Sequence, residues 1–260
     1  MTMTTVSRRG GFMGAVAFEW TKFKSVRGTW WNFAMGLLLT LGFAAVVGSS
    51  AAASAAKGVD VTAPAPHHVS QVFLISQLTV VVLATLALTS EYSSGSIRTT
   101  LQSVPVRGRM LASKTLVVAV AAGVAGFVFS VLATLVAAPM MGDPGDYSAG
   151  ELLGTALSAG LYLASLAVMC VGLGAVLRSA AGTITTLILV LLAVPQLLGF
   201  VGSPWLETFA DYMPSEAGAA MMTGADDPYG AATAVPVLAL WAIASFTAGL
   251  VVLRRRDATV

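Results

Sequence analysis

Six long apolar stretches divide the chain: Trp30–Ser50, Val72–Thr89, Leu116–Ala138, Leu152–Leu177, Thr183–Phe200 and Val235–Leu253. A hydrocarbon core of about 30 Å takes about 20 mostly apolar residues in a helix, so each stretch is a predicted membrane span. None carries an acidic or basic residue in its middle. A charge at the centre of a bilayer costs several kcal/mol and marks ion or proton paths. Its absence argues against a proton-driven pump.

Before the first span, "FMGAVAFEWTKFKSVRGTWW" places Phe12, Val16, Trp20 and Phe23 at helical spacing, with Glu19, Lys22 and Lys24 falling largely elsewhere. This predicts an amphipathic helix lying in the membrane interface. A ragged, tilted start to the first span fits the same stretch. Trp30 and Trp31 then sit where indole rings favour the membrane boundary.

Composition agrees. The chain has 260 residues, 57% hydrophobic and 10% charged, with a mean hydropathy of +0.84. A soluble domain carries roughly 25% charged residues, so the apolar surface here must meet lipid. The predicted fold is all-α, a polytopic membrane protein. Its parts are an N-terminal segment at 1–29, a membrane domain at 30–253 and a tail at 254–260. The single cysteine, Cys170, excludes an internal disulfide. An Ala-, Gly- and Val-rich, lysine-poor composition suggests a high-GC bacterial source. The opening "SRRGGFMGAVAF" is too short and too soon interrupted by Glu19 for a signal peptide.

Charge sets the expected orientation. Arg8, Arg9, Lys22, Lys24, Arg27, Arg98, Arg107, Arg109, Lys114, Arg178 and Arg254 to Arg256 fall on one side, 13 of the 14 basic residues; Lys57 falls opposite. Asp60, Asp143, Asp146, Glu151, Glu207, Asp211, Glu216, Asp226 and Asp227 share that opposite side. Cytoplasmic loops collect Lys and Arg, so both termini are expected in the cytoplasm of a plasma-membrane protein. Outside, Ala51–Ser70 reads as a mobile loop and Met140–Gly150 as a short acidic one. The loop 201–234 carries two short helices, one with Trp205, Leu206, Phe209 and Met213 on a face, the other capped by Ser215 after Pro214. No internal repeat of the kind found in many secondary transporters is visible.

Several chemistries are excluded by context. "GRMLASKT" nearly matches a phosphate loop, but Ser113 stands where the second glycine belongs, and no strand precedes it. It reads as the basic entry to the third span, with Ser113 and Lys114 at the membrane surface. His67 and His68 are adjacent in a loop, short of a metal ligand set, and read as solvated. Ser93 and Ser94 lack a histidine base in any span. Gly154, Ser158 and Tyr162 suggest close helix packing in the fourth span.

The loop 90–115 is too polar for lipid. Ser93 or Ser94 can cap a short helix, with Ile97, Leu101 and Val104 on one face and Arg98 and Gln102 on others. Pro105 ends it. Spacing alone allows equally a basic hairpin that serves only orientation.

The run E-Y-S-S-G-S-I-R-T-T-L…P-V-R-G-R-M-L-A-S-K resembles the loop between the second and third spans of ABC-2 type exporter permeases. Glu91, Ser94, Gly95, Ser96, Arg98, Leu101, Pro105, Arg107 and Lys114 carry the likeness. The layout agrees: an interfacial helix, six spans, and a long outer loop before the last. The resemblance implies a stand-alone, non-catalytic permease subunit of an ATP-driven exporter of hydrophobic or amphipathic substrates. It would pair with a second permease subunit, as homo- or heterodimer, and with separate cytoplasmic ABC ATPase subunits. It would bind no cofactor itself, ATP and Mg residing on the ATPase, and membrane lipid rather than nucleic acid would be its other partner. Ile97, Arg98 and Leu101 would form the docking face, Glu91 the hinge and Gly95 the tight turn, with Pro105 and Arg107 completing the coupling loop. Spans two and five would line the path through Gln77, Thr79, Thr185, Thr186 and Gln196, with Pro195 loosening the fifth; Gln77 and Gln196 equally suit bonds between helices. Two other readings share the layout: an ABC-like subunit relaying ATPase motion to a sensor or envelope process without transport, and a secondary transporter.

Overall fold

The computed structural model describes residues 11–59, 61, 63–224 and 228–256. Arg8, Arg9, Asp60, Asp226, Asp227 and the tail beyond Arg256 lie outside the described residues. Among the described residues ten helices follow in order, besides a three-residue 3-10 turn at Asp143–Gly145. They are α1 (Phe12–Ser25), α2 (Arg27–Ala56), α3 (Ala65–Ser93), α4 (Ile97–Ser103), α5 (Arg107–Met141), α6 (Ala149–Leu177), α7 (Ala180–Phe200), α8 (Pro204–Asp211), α9 (Pro214–Thr223) and α10 (Ala231–Arg255). No strand occurs among the described residues. Six of the helices, α2, α3, α5, α6, α7 and α10, are long and apolar enough to cross a membrane.

The helices overrun the hydropathy edges. The α5 helix has 35 residues, about 52 Å at 1.5 Å per residue, well beyond the hydrocarbon thickness. Its first two and a half turns therefore contain "GRMLASKT", with Met110, Leu111, Ser113 and Lys114 buried against the rest of the bundle. Helix α2 continues to Ala56 and α3 begins at Ala65, which shortens the expected mobile loop Ala51–Ser70 to a few residues. His67 and His68 are half-buried in the first turns of α3 rather than solvated. No group of potential metal ligands occurs among the described residues.

Burial separates the spans. The central windows of α3 and α6 are 67% and 61% buried, against 22% for α7 and α10. Thus α3 and α6 form the axis of the bundle and α7 lies at its edge. Small residues set the closest crossings, as expected where lipid offers no hydrophobic drive between helices. A Cβ on Gly172 of α6 would lie 2.5 Å from the Ser245 carbonyl carbon of α10. One on Gly126 of α5 would lie 2.7 Å from the Ala159 oxygen of α6. Gly154, picked from the sequence as a packing glycine, has nothing within 4 Å of its Cβ position. Tyr162 instead packs its ring on Gly218 of α9.

Caps differ in detail from the sequence expectations. Ser148 and Glu151 form a reciprocal capping box at the start of α6. Helix α9 begins at Pro214 itself, which suits the first helical position, so Ser215 lies inside it and does not cap. On α4 the cap position is Ser96, with no side-chain bond, while Ser94 Oγ donates to the Ser90 carbonyl.

Candidate functional site

Helix α1 turns its one buried carboxylate, not its apolar stripe, toward the bundle. Ala15 and Glu19, one turn apart, are its buried residues. Phe12, Met13 and Trp20 are exposed, as the interfacial-helix expectation requires of its apolar side. Glu19 is thereby directed at the third span. Lys114 Nζ donates to Glu19 Oε2 at 2.6 Å and to Glu91 Oε1 at 2.5 Å. Lys22 Nζ donates to the same Glu91 oxygen at 2.6 Å. Glu19, Glu91 and Lys114 are each 4% exposed or less. Two carboxylates and two ammonium groups balance, which is what permits such burial.

This cluster joins α1, the end of α3 and the start of α5. One residue on, Tyr92 lies under the Arg178 guanidinium at 5.2 Å, a cation–π contact that adds α6. Arg178 ends α6 in the left-handed conformation, φ 53°. Arg107 Nη1 donates to the carbonyls of Leu253 and Arg256 at 2.8 Å each. A cation thus satisfies carbonyls that the last turn of α10 leaves unpaired. The N-terminal helix, α4 and the end of α10 therefore share one face of the bundle.

Helix α4 projects from this hub. Gly95 adopts φ +73°, which glycine reaches without the cost of a Cβ. It folds the chain back after Ser93. Pro105 follows the seven-residue helix, and α5 starts at Arg107. The apolar stripe faces inward: Ile97 is fully buried in the central core, Val104 is buried and Leu101 is half-buried against it. Ile97 is therefore not an external contact surface. The open face of α4 carries Arg98, Thr99, Gln102 and Ser103.

Of the residues suggested to line a path, Gln77 and Thr79 lie inside the single subunit. Tyr162 Oη donates to Gln77 Oε1, and Gln77 Nε2 donates to the Leu74 carbonyl at 3.3 Å. Thr79 fills the notch over Gly36 of α2. On α7, Thr185 and Gln196 are exposed and Thr186 is half-buried. Pro195 is buried and follows a π-helical turn, Leu189–Ala193. Such a turn is a usual response to a proline that cannot donate its amide.

At the opposite end, α7, α8 and α9 enclose a groove of about 400 Å³ lined by Gln196, Glu207, Asp211 and Glu216. Burial, then the neighbouring Asp211, pushes the Glu216 carboxyl above its ordinary range. Burial and Asp211 likewise push the Tyr229 phenol up to about 12. A carboxyl whose pKa rises on folding opposes folding once it ionises. Glu216→Gln should therefore melt higher than wild type at pH 7. The gap should close as pH falls below the ordinary carboxyl value of 4.5. Melting in detergent across pH checks this.

The family model described as ABC-2 family transporter protein matches residues 15–222. The chain belongs to the ABC-2 transporter family. No curated protein matches it. The matched region of this ABC-2 protein begins in α1 and ends in α9, so it includes Glu19, Lys22, Glu91, Lys114, α4 and the acidic groove. The ABC-2 assignment makes the chain a multi-pass membrane transport component. Sequence reasoning identified Glu91 and placed Lys114 at the membrane surface, but it missed the tie among Glu91, Lys114, Glu19 and Lys22. The available signal was charge balance: two acids and two bases sit at the edges of three neighbouring apolar stretches.

Proposed function

We propose that this ABC-2 permease subunit couples ATP hydrolysis by separate cytoplasmic ABC ATPase subunits to export of a hydrophobic or amphipathic substrate. The observation that carries the reading is the attachment of a short, open helix, α4, to a buried charge cluster that ties α1, α3 and α5 together. Force applied to α4 reaches Glu91 through one turn and so reaches three helices at once. The concentration of basic residues on that face supports its cytoplasmic placement, with both termini inside the plasma membrane. ATP and Mg then act on the partner, and this chain carries no catalytic step.

The ATPase contact runs through Arg98, Thr99 and Gln102, while Ile97 and Leu101 anchor α4 to the bundle. A second permease subunit, identical or related, packs on the sparsely buried face of α7. Thr185 and Gln196 face the shared path, and the π turn before Pro195 supplies its give. The neutral, apolar lining of the spans favours an apolar or amphipathic cargo over an ion.

Replacing Arg98 and Gln102 together with Glu should weaken co-purification of the ATPase at least about tenfold, the loss of one charge-assisted contact. Both residues are exposed, so membrane insertion and melting should stay as in wild type. Undiminished ATPase capture by this variant would refute the docking face.

A further inference from the structure

A second site adjoins the charge cluster, between α1, α2, α3 and α5, with Glu19, Lys22 and Lys114 among its lining residues. A pocket of about 300 Å³ is walled by Phe23, Leu83 and Ala87, with exposed Leu86, Ser90 and Val26 at its mouth. That volume is at the lower end of the usual range for ligand pockets. Its walls are chiefly apolar, and Glu19 and Asn32 among its lining residues each hold one buried acceptor that meets no donor among the described residues. One is Glu19 Oε1, on a side chain 4% exposed; the other is Asn32 Oδ1. Glu19 spends its other oxygen on Lys114. A buried carboxylate oxygen without a donor is an exception that calls for a partner. Lys22 also lines the pocket, and its side chain is 34% exposed.

The three features define one ligand chemistry. The unpaired acceptors require a head with N–H or O–H donors, and a carboxylate favours a cationic one. The part-buried Lys22 ammonium, which also pairs with Glu91, favours a phosphate next to that donor. The apolar wall, with exposed Val26 and Leu86 at its mouth, favours acyl chains. We propose that this pocket binds an aminophospholipid of the phosphatidylethanolamine type. Its ammonium donates to Glu19 Oε1 and Asn32 Oδ1, its phosphate sits beside Lys22, and its chains cover Leu83, Leu86 and Ala87.

The same chemistry discriminates among lipids. Phosphatidylcholine presents a quaternary ammonium with no N–H, and its usual recognition is an aromatic cage; Phe23 is the one aromatic wall of this pocket. Phosphatidylglycerol donates hydroxyls but adds net negative charge beside a cluster already balanced by Glu19 and Glu91 against Lys22 and Lys114. The residues suggested to line the transport path do not line this pocket, and the proposal stands without the export reading. A lipid here braces α1 against α3 at the hub.

The test is to reconstitute the full chain in equal parts of phosphatidylethanolamine, phosphatidylcholine and phosphatidylglycerol. It is then extracted into detergent, and the retained lipid is weighed by native mass spectrometry. Phosphatidylethanolamine should be retained about tenfold over phosphatidylcholine, the worth of one charge-assisted hydrogen bond. The preference should disappear in Glu19→Gln, which loses the carboxylate, and in Ala87→Trp, which fills the pocket and leaves every charge in place. Should Glu19→Gln fail to fold, Ala87→Trp decides alone. Equal retention of the three lipids, a preference for phosphatidylglycerol, or an unchanged preference in Ala87→Trp would overturn the proposal.

Discussion

Lys114→Met should cost about 3–5 kcal/mol of stability, the range for breaking a buried ion pair from one side. The methionine matches the lysine stem in length, so packing changes little. What changes is that Glu19 keeps no cation and Glu91 keeps only Lys22. Both carboxylates are nearly solvent-free. The loss should appear as a lower melting temperature in detergent and less protein in the membrane. Replacing the whole group with neutral residues (Glu19→Gln, Lys114→Met, Glu91→Gln, Lys22→Met) should restore much of the stability, because no uncompensated charge is left. The restored protein should still couple poorly to its ATPase if the cluster transmits force. Wild-type melting of Lys114→Met would show that the cluster is not as dry as the structure has it.

Gly172→Val is the second large effect. A Cβ at Gly172 meets the Ser245 carbonyl carbon at 2.5 Å and the Phe246 amide nitrogen at 2.7 Å. Both are backbone atoms of α10, so no side chain can rotate aside. The helices must separate along α10, whose central window is only 22% buried. Loss of about 3 kcal/mol is expected, the upper end of the overpacking range. Freed of its partner, the end of α10 should become sensitive to trypsin at Arg254 to Arg256. Gly154→Val on the same α6 helix is the control. It faces open space and should change stability by no more than about 0.5 kcal/mol, as surface substitutions do.

These two sites show what the sequence makes legible. Long apolar runs free of central charge give the six spans directly, because the bilayer demands that pattern. The short α4 helix follows from Gly95, Pro105 and the spacing of Ile97, Leu101 and Val104. The direction of that stripe does not follow, since periodicity says which residues share a face and not which neighbour covers it. The same limit applies to α1, where the lone Glu19 marks the protein-facing side while Phe12, Phe18 and Trp20 are exposed. Glu19, Glu91 and Lys114 are far apart in the chain, and each alone resembles an ordinary boundary charge. Gly154 and Gly172 are alike in composition and local context. Only the path of α10 distinguishes them.

The central claim is that α4 is the contact through which a separate ATPase drives this subunit. Site-directed cross-linking tests it most directly. The one native cysteine, Cys170, is fully buried, so a thiol introduced by Gln102→Cys on the open face of α4 reports alone. With the partner ATPase present in membranes, a cysteine-to-amine cross-linker should join the two chains through position 102, and Leu157→Cys on the exposed mid-span face of α6 should give no product. A cross-link from position 102 that varies with ATP supports the account; a complex that forms intact while position 102 stays freely reactive and unlinked would contradict it.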